Sequence, residues 1–124
     1  MFFSSILQQK RIFVVMILVK ITMTARPEKR KEVMQTLLSM IEPTLQQQGC
    51  LSYQVFQNIE DENVFRLVKE WETREDLDLH MRSDSFSVLL GTKILLNEPH
   101  NIRIHTISHS EGFEAVHAAR GKKT

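Results

Sequence analysis

Two runs of alternating residues, CLSYQVFQ over Cys50–Gln57 and VFRLVKEW over Val64–Trp71, are separated by the six-residue connection NIEDEN. A period of two sends successive side chains to opposite faces of a strand. A connection this short cannot make a parallel crossover, so the two runs are predicted to pair as an antiparallel hairpin. Leu51, Tyr53 and Val55 should share one face of the first run. Phe65, Leu67 and Trp71 should share one face of the second, with Val64 and Val68 on its other face. What flanks this hairpin then decides the fold.

Upstream, Val15, Ile17, Val19, Ile21 and Met23 alternate within Val14–Thr24, while the opposite side begins apolar and then carries Lys20, Thr22 and Thr24. Pro27 is placed to open a helix, because its missing N–H falls where none is needed. Val33, Leu37, Ile41 and Leu45 follow at spacing four, beside Met34 and Leu38, as one apolar stripe. Pro43 should break this helix near Glu42, and Gly49 should stop it. Downstream of the hairpin, Thr73 and Asp76 resemble a capping box ahead of Leu77 and Met81. Ser83 or Asp84 can cap a further turn carrying Phe86, Leu89 and Leu90, which Gly91 closes. Residues 92–100 read as irregular. Asn101–Ser108 alternates again, with Ile102, Ile104 and Thr106 set against Arg103 and His105.

The order strand, helix, strand, strand, helix, strand is that of an α+β, ferredoxin-like βαββαβ fold, a four-stranded antiparallel sheet with helices on one face. The domain should run over 14–108. Residues 109–124 form a tail with one short helix around Phe113 and Val116 and a basic, disordered end. Residues 1–13 are expected to be a dispensable extension. Lys10-Arg11 before IFVVMILV imitates a signal peptide. The run is nevertheless β-branched, interrupted by Lys20, and well short of the ~20 apolar residues of a membrane span, which favours a strand. Apolar residues on both sides of the strands imply a second cover for the sheet, so a homodimer with sheets packed face to face is expected.

A chain of 124 residues suits one domain, and its formal net charge of +1 gives no bias toward nucleic acid. No arginine stripe with interleaved aromatics and no glycine-rich phosphate loop is present, which leaves no nucleic-acid or nucleotide motif. Cys50 is the single cysteine. It excludes an internal disulfide and a thiolate metal cluster, suits a cytoplasmic location, and reads as a small buried filler. His100, His105 and His109 lack a carboxylate partner or ligand spacing, so no metal site is assigned.

The chemistry-bearing pair is Trp71, the only tryptophan, and His80, nine residues later. His80 lies three residues after Leu77 and four after Asp76, so the three can share one helical side. The imidazole should point inward, with Asp76 able to orient it and raise its basicity. Spacing alone leaves two readings: a histidine at the core rim bonded to a backbone carbonyl, or one side of a pocket. Lys20 and Arg66 could stabilise an oxyanion or simply be surface charges.

The segments ARPEKRKEVMQTLL and EPTLQQQGCLSYQVFQNIEDENVFRLVKEWETREDLDLHMRSDSFSVLLG resemble the antibiotic biosynthesis monooxygenase family. The likeness runs from Met16 to Ser108. Its most telling pieces are Gly49–Tyr53, Glu70-Trp71, and His80 ahead of Ser83-x-x-Phe86. The resemblance implies a dimeric α+β barrel with a pocket between each sheet and its helices. It also implies oxidation of an aromatic phenol or quinol with O₂, without cofactor. His80 would be the base or hydrogen-bond partner, with Trp71 and Phe86 as aromatic walls and Tyr53 orienting the ring. Thr22 and Phe65 complete the implied substrate-binding set. A neighbouring branch degrades haem with an asparagine on the first strand, but that position is Thr22 here, which lacks the amide donor. A non-catalytic dimer that binds a small molecule is the other alternative, since a fold alone does not choose an activity.

Overall fold

The computed structural model describes residues 15–121. The expectations for residues 1–13 and for the last three residues lie outside this range. The hairpin forms as the alternation requires. Strand β2 (Cys50–Gln57) pairs antiparallel with β3 (Val64–Trp71), with Val55 opposite Leu67 and Tyr53 opposite Lys69. Within the connection, the Asn58 side-chain oxygen accepts from the backbone N–H groups of Glu60 and Asp61 at 2.8 and 3.0 Å, an arrangement that turns the chain locally.

Strand β1 (Met16–Thr24) pairs antiparallel along the other edge of β3, with Ile17 opposite Trp71 and Thr22 opposite Arg66. Strand β4 (Asn101–Ile107) lies beside β1, giving the sheet order β2-β3-β1-β4. After β1, Pro27–Lys29 forms a 3₁₀ turn that leads into helix α1 (Arg30–Ser39). The chain breaks at Met40 and restarts as α2 (Ile41–Leu45). Pro43 thus falls in the first turn of a new helix, where its missing N–H leaves no bond unmade. Helices α3 (Arg74–Met81) and α4 (Asp84–Gly91) follow the hairpin. Thr73 Oγ1 accepts from Asp76 N at 3.1 Å, and Ser83 Oγ accepts from Phe86 N at 3.2 Å, so both predicted caps are present. The architecture is the α+β, ferredoxin-like one.

The core lies between the sheet and the helices. Ile17, Val19, Ile21 and Met23 of β1 meet Phe65, Leu67 and Trp71 of β3 under Val33, Leu37, Leu77, Phe86 and Leu89. Residues 16–106 form one compact unit. The described stretch from Ile107 onward belongs to a second, in which helix α5 (Phe113–Arg120) places Phe113 edge-on to His117 at 4.6 Å between ring centroids.

Two expectations are corrected. Leu51 does not join Tyr53 and Val55 facing the core. The β2–β3 register slips between Cys50 and Ser52, and this bulge turns Leu51 outward, 53% exposed. The open side of the sheet is also less apolar than the alternation suggested. Leu18, Val64 and Val68 are half-buried. Lys20, Thr22, Arg66, Asn101, Arg103 and His105 line a groove of about 430 Å³ on that side.

Candidate active site

The inward face of β3 carries a residue unlike its neighbours. Phe65, Leu67, Lys69 and Trp71 alternate into the core, so the strand period that buries Trp71 also buries Lys69, which is fully shielded. Lysine is almost never fully buried unless paired. Here no carboxylate lies within ion-pair distance among the described residues. Nζ instead meets Nε2 of His80 at 3.1 Å. It also sits 5.5 Å from the ring centroid of Tyr53 and 5.2 Å from that of Phe86, within range of cation–π attraction.

Helix α3 delivers His80. The Thr73 cap sets the start of the helix, and the spacing from Leu77 turns the imidazole to the core, where it is 1% exposed. Its ring stacks on Trp71 at 4.6 Å between centroids and 29° between planes, and meets Phe86 edge-on at 5.4 Å. Nδ1 lies 2.6 Å from Oε1 of Gln47. A carbonyl oxygen can only accept and a lysine ammonium can only donate. The assignment satisfying both bonds has Nδ1 protonated and donating to Gln47, with Nε2 accepting from Lys69.

Asp76 therefore does not orient the ring. Its carboxylate accepts from Gln48 Nε2 at 3.2 Å, and Gln47 holds the imidazole instead. Nor is the ring made more basic. Burial, followed by the nearby Lys69 charge, pulls the His80 pKa from 6.5 down to about 4. Burial likewise pulls Lys69 from 10.5 down to about 8, partly opposed by the negative charge Cys50 carries once deprotonated. It also pushes up the Tyr53 hydroxyl and the Cys50 thiol. Each group resists the charge it would bear in a poorly hydrated space. Tyr53 Oη and Trp71 Nε1 are buried with no hydrogen-bond partner among the described residues. His80 connects this cluster to the surface, because it also lines a cleft of about 290 Å³ with Gln47, Gln48, Asp76, Leu79, Arg82 and Ser83.

Of the residues expected from the sequence, His80, Trp71, Tyr53 and Phe86 are brought together. Phe65 is buried on the same strand face as Trp71, six residues away, or about 20 Å along an extended strand. Thr22 lies across the sheet, where Oγ1 accepts from Arg66 Nε at 3.2 Å, so neither it nor Arg66 or Lys20 reaches His80. The sequence reading missed Lys69 and Gln47. Lys69 was detectable, since it shares parity with Leu67 and Trp71. Gln47 had no signal, because its reach to His80 depends on how the chain leaves α2. Among the histidines considered for metal, His100 Nε2 is 3.0 Å from the Leu89 carbonyl, whereas His109, against the expectation that it lacks a carboxylate partner, lies with Nε2 2.7 Å from the Glu111 carboxylate. No group of three or more metal-ligating side chains occurs among the described residues.

The antibiotic biosynthesis monooxygenase family model matches residues 16–89, which contain the hairpin, Lys69, Trp71 and His80. The Bacillus subtilis protein YcnE is 25% identical over 85 residues, 68% of this chain and 90% of that protein. The Synechocystis protein sll1783 is 28% identical over 87 residues, 69% of this chain, and the match spans 59% of that protein's length. A conserved protein from Methanosarcina mazei Go1 superimposes with a TM-score of 0.71 at 31% identity, over 77% of this chain and 96% of that one. Rv0793 from Mycobacterium tuberculosis shares the fold with a TM-score of 0.72 at 22% identity, over 78% and 99% of the two chains. Matched over more than half its length, and with the order of strands and helices its pattern predicted, the chain belongs to the antibiotic biosynthesis monooxygenase family.

Proposed function

We propose that the protein is a monooxygenase that oxidises a small phenol or quinol with O₂. The observation that carries this reading is the Trp71–His80 stack. It places a hydrogen-bonding imidazole against a large aromatic face, inside an apolar core and beside a surface cleft. The reaction needs no electrons from the protein. A phenol with an open para position and O₂ together contain the atoms of the para-quinone and water, and the ring supplies every electron. The slow step is making the ring electron-rich enough to reduce O₂, which loss of the phenolic proton achieves. The protein's part is to favour that loss, hold the ring and exclude water.

In this scheme the His80 imidazole, held on both ring nitrogens by Gln47 and Lys69, forms the polar end of the site that receives the phenolic oxygen. Trp71 and Phe86 clamp the ring, Tyr53 orients it, and Phe65 belongs to the packed wall deeper along β3. Haem does not fit the cluster, since both ring nitrogens of His80 are engaged by Gln47 and Lys69 and Thr22 lies across the sheet. The acting form we propose is a homodimer joined across the open side of the sheet. Support comes from half-buried Leu18, Val64 and Val68 and from Phe56, which is 49% exposed. Oxygen uptake with a panel of quinols tests the function. The native protein should exceed buffer, and His80→Ala and Trp71→Phe should each fall by tenfold or more, roughly the scale of one lost catalytic contact. Native uptake no faster than buffer with every quinol refutes it.

A further inference from the structure

The groups around His80 are short of acceptors, not of donors. Lys69 Nζ carries three N–H bonds. Among the described residues its one hydrogen-bond partner is His80 Nε2. Trp71 Nε1–H, two residues along the same strand face, has none, and neither does Tyr53 Oη, on the residue paired with Lys69 across β2 and β3. Buried donors without acceptors are expensive, and native proteins rarely leave several together. A buried cation with no carboxylate is costlier still. Hydrophobic rings alone cannot settle this imbalance. An oxygen bearing negative charge, on a small aromatic molecule entering past His80 from the cleft it lines, would supply both the acceptor and the counter-charge.

We infer that Lys69 is the residue that binds the substrate oxygen, and that it selects phenols in their deprotonated, phenolate form. The inference rests on the reading above and deepens it by naming the ionic state of the substrate and the group that holds it. On binding, the phenol O–H bond breaks and its electron pair stays on oxygen. The proton leaves to solvent when Lys69 is already an ammonium, or moves to Nζ when Lys69 is a neutral amine. The first case holds below about pH 8 and the second above it, given where burial places this lysine. Either way the bound state is an ammonium–phenolate pair. His80 is then a positioning residue, with Gln47 fixing its proton on Nδ1 so that Nε2 aims the Lys69 ammonium. The titratable groups facing Lys69 are His80 from α3 and Cys50 and Tyr53 from β2, and none of them is an anion at neutral pH. No protein charge therefore competes with the phenolate.

The probe is para-nitrophenol, whose colour reports its ionisation directly, with para-nitroanisole as the ether that cannot ionise. In the presence of the full chain the ionisation midpoint of para-nitrophenol should fall by about one to three pH units, as for an acid placed beside a cation. Lys69→Met should abolish that shift while still binding para-nitroanisole, detected through Trp71 fluorescence, which also verifies that the variant is folded. An unshifted midpoint in the native protein, a shift that survives Lys69→Met, or failure of para-nitrophenol to bind would overturn the inference. The two readings fail separately. A shifted midpoint without oxygen uptake from any quinol leaves Lys69 its role and removes the monooxygenase. Uptake with an unshifted midpoint does the reverse.

Discussion

Lys69→Met also offers a thermodynamic test that needs no ligand. The unfolded chain holds the Lys69 proton up to pH 10.5, whereas the folded chain releases it near 8. Between those values the unfolded state binds more protons, so stability rises with pH; conversely it is lost as pH falls from 10.5 through 8. The gap corresponds to about 3 kcal/mol at ~1.4 kcal/mol per pH unit. Methionine keeps an unbranched stem of similar length and cannot titrate. At neutral pH the variant is relieved of the buried charge but leaves Nε2 of His80 without a donor, which costs ~1–3 kcal/mol. Its net change there should therefore lie within about 2 kcal/mol of zero. The decisive quantity is the difference between variant and native stability across pH, because Tyr53 and Cys50 titrate in both chains and largely cancel. Urea unfolding followed by the single tryptophan, at steps from about pH 7 to about 10.5, should show the native protein gaining about 3 kcal/mol on the variant. A difference that stays constant across that range would show that the lysine is not held in a low-dielectric site.

Four further outcomes follow from the same geometry. His80 is kept uncharged in the fold, from 6.5 down to about 4, so the native protein should lose up to about 3 kcal/mol as pH falls through that window. In His80→Gln this component should be missing when acid unfolding of the two chains is compared. Gly49 has φ of +80°, and a Cβ there would run into the Asp76 carboxylate. Gly49→Ala should thus lower stability by about 2 kcal/mol in urea titrations, and Asp76→Ala in the same chain should not restore it, because the Cβ of residue 76 also lies in the way. Thr73→Ala removes the acceptor for Asp76 N and should cost about 1 kcal/mol in the same assay. Sedimentation velocity at micromolar concentration should show a dimer, and a stable single chain would remove the proposed barrel.

Much of this molecule was legible because it depends on period. Alternation in Val64–Trp71 and Cys50–Gln57, with a short polar connection between them, leaves antiparallel pairing as the available outcome. The break before Pro43, the caps at Thr73 and Ser83, and the inward turn of His80 are likewise local effects of one residue on its own turn of chain. Leu51 escaped because a bulge changes parity by one without any mark in composition. The partner of His80 escaped for a related reason. Asp76 was the neighbour by helical spacing, yet the ring is held by Gln47, 33 residues away in sequence.

The order of strands and helices, and which side chains share a strand face away from the Leu51 bulge, were therefore determined by the sequence alone, because short-range sterics and the burial of apolar side chains act at fixed spacings. The chemistry of the site was decided by tertiary structure. Only packing of α3 against β3 sets Lys69 Nζ 3.1 Å from His80 Nε2 and excludes enough water to shift both groups. Ionisation depends on the surroundings of a group in three dimensions, and neither spacing nor composition records these.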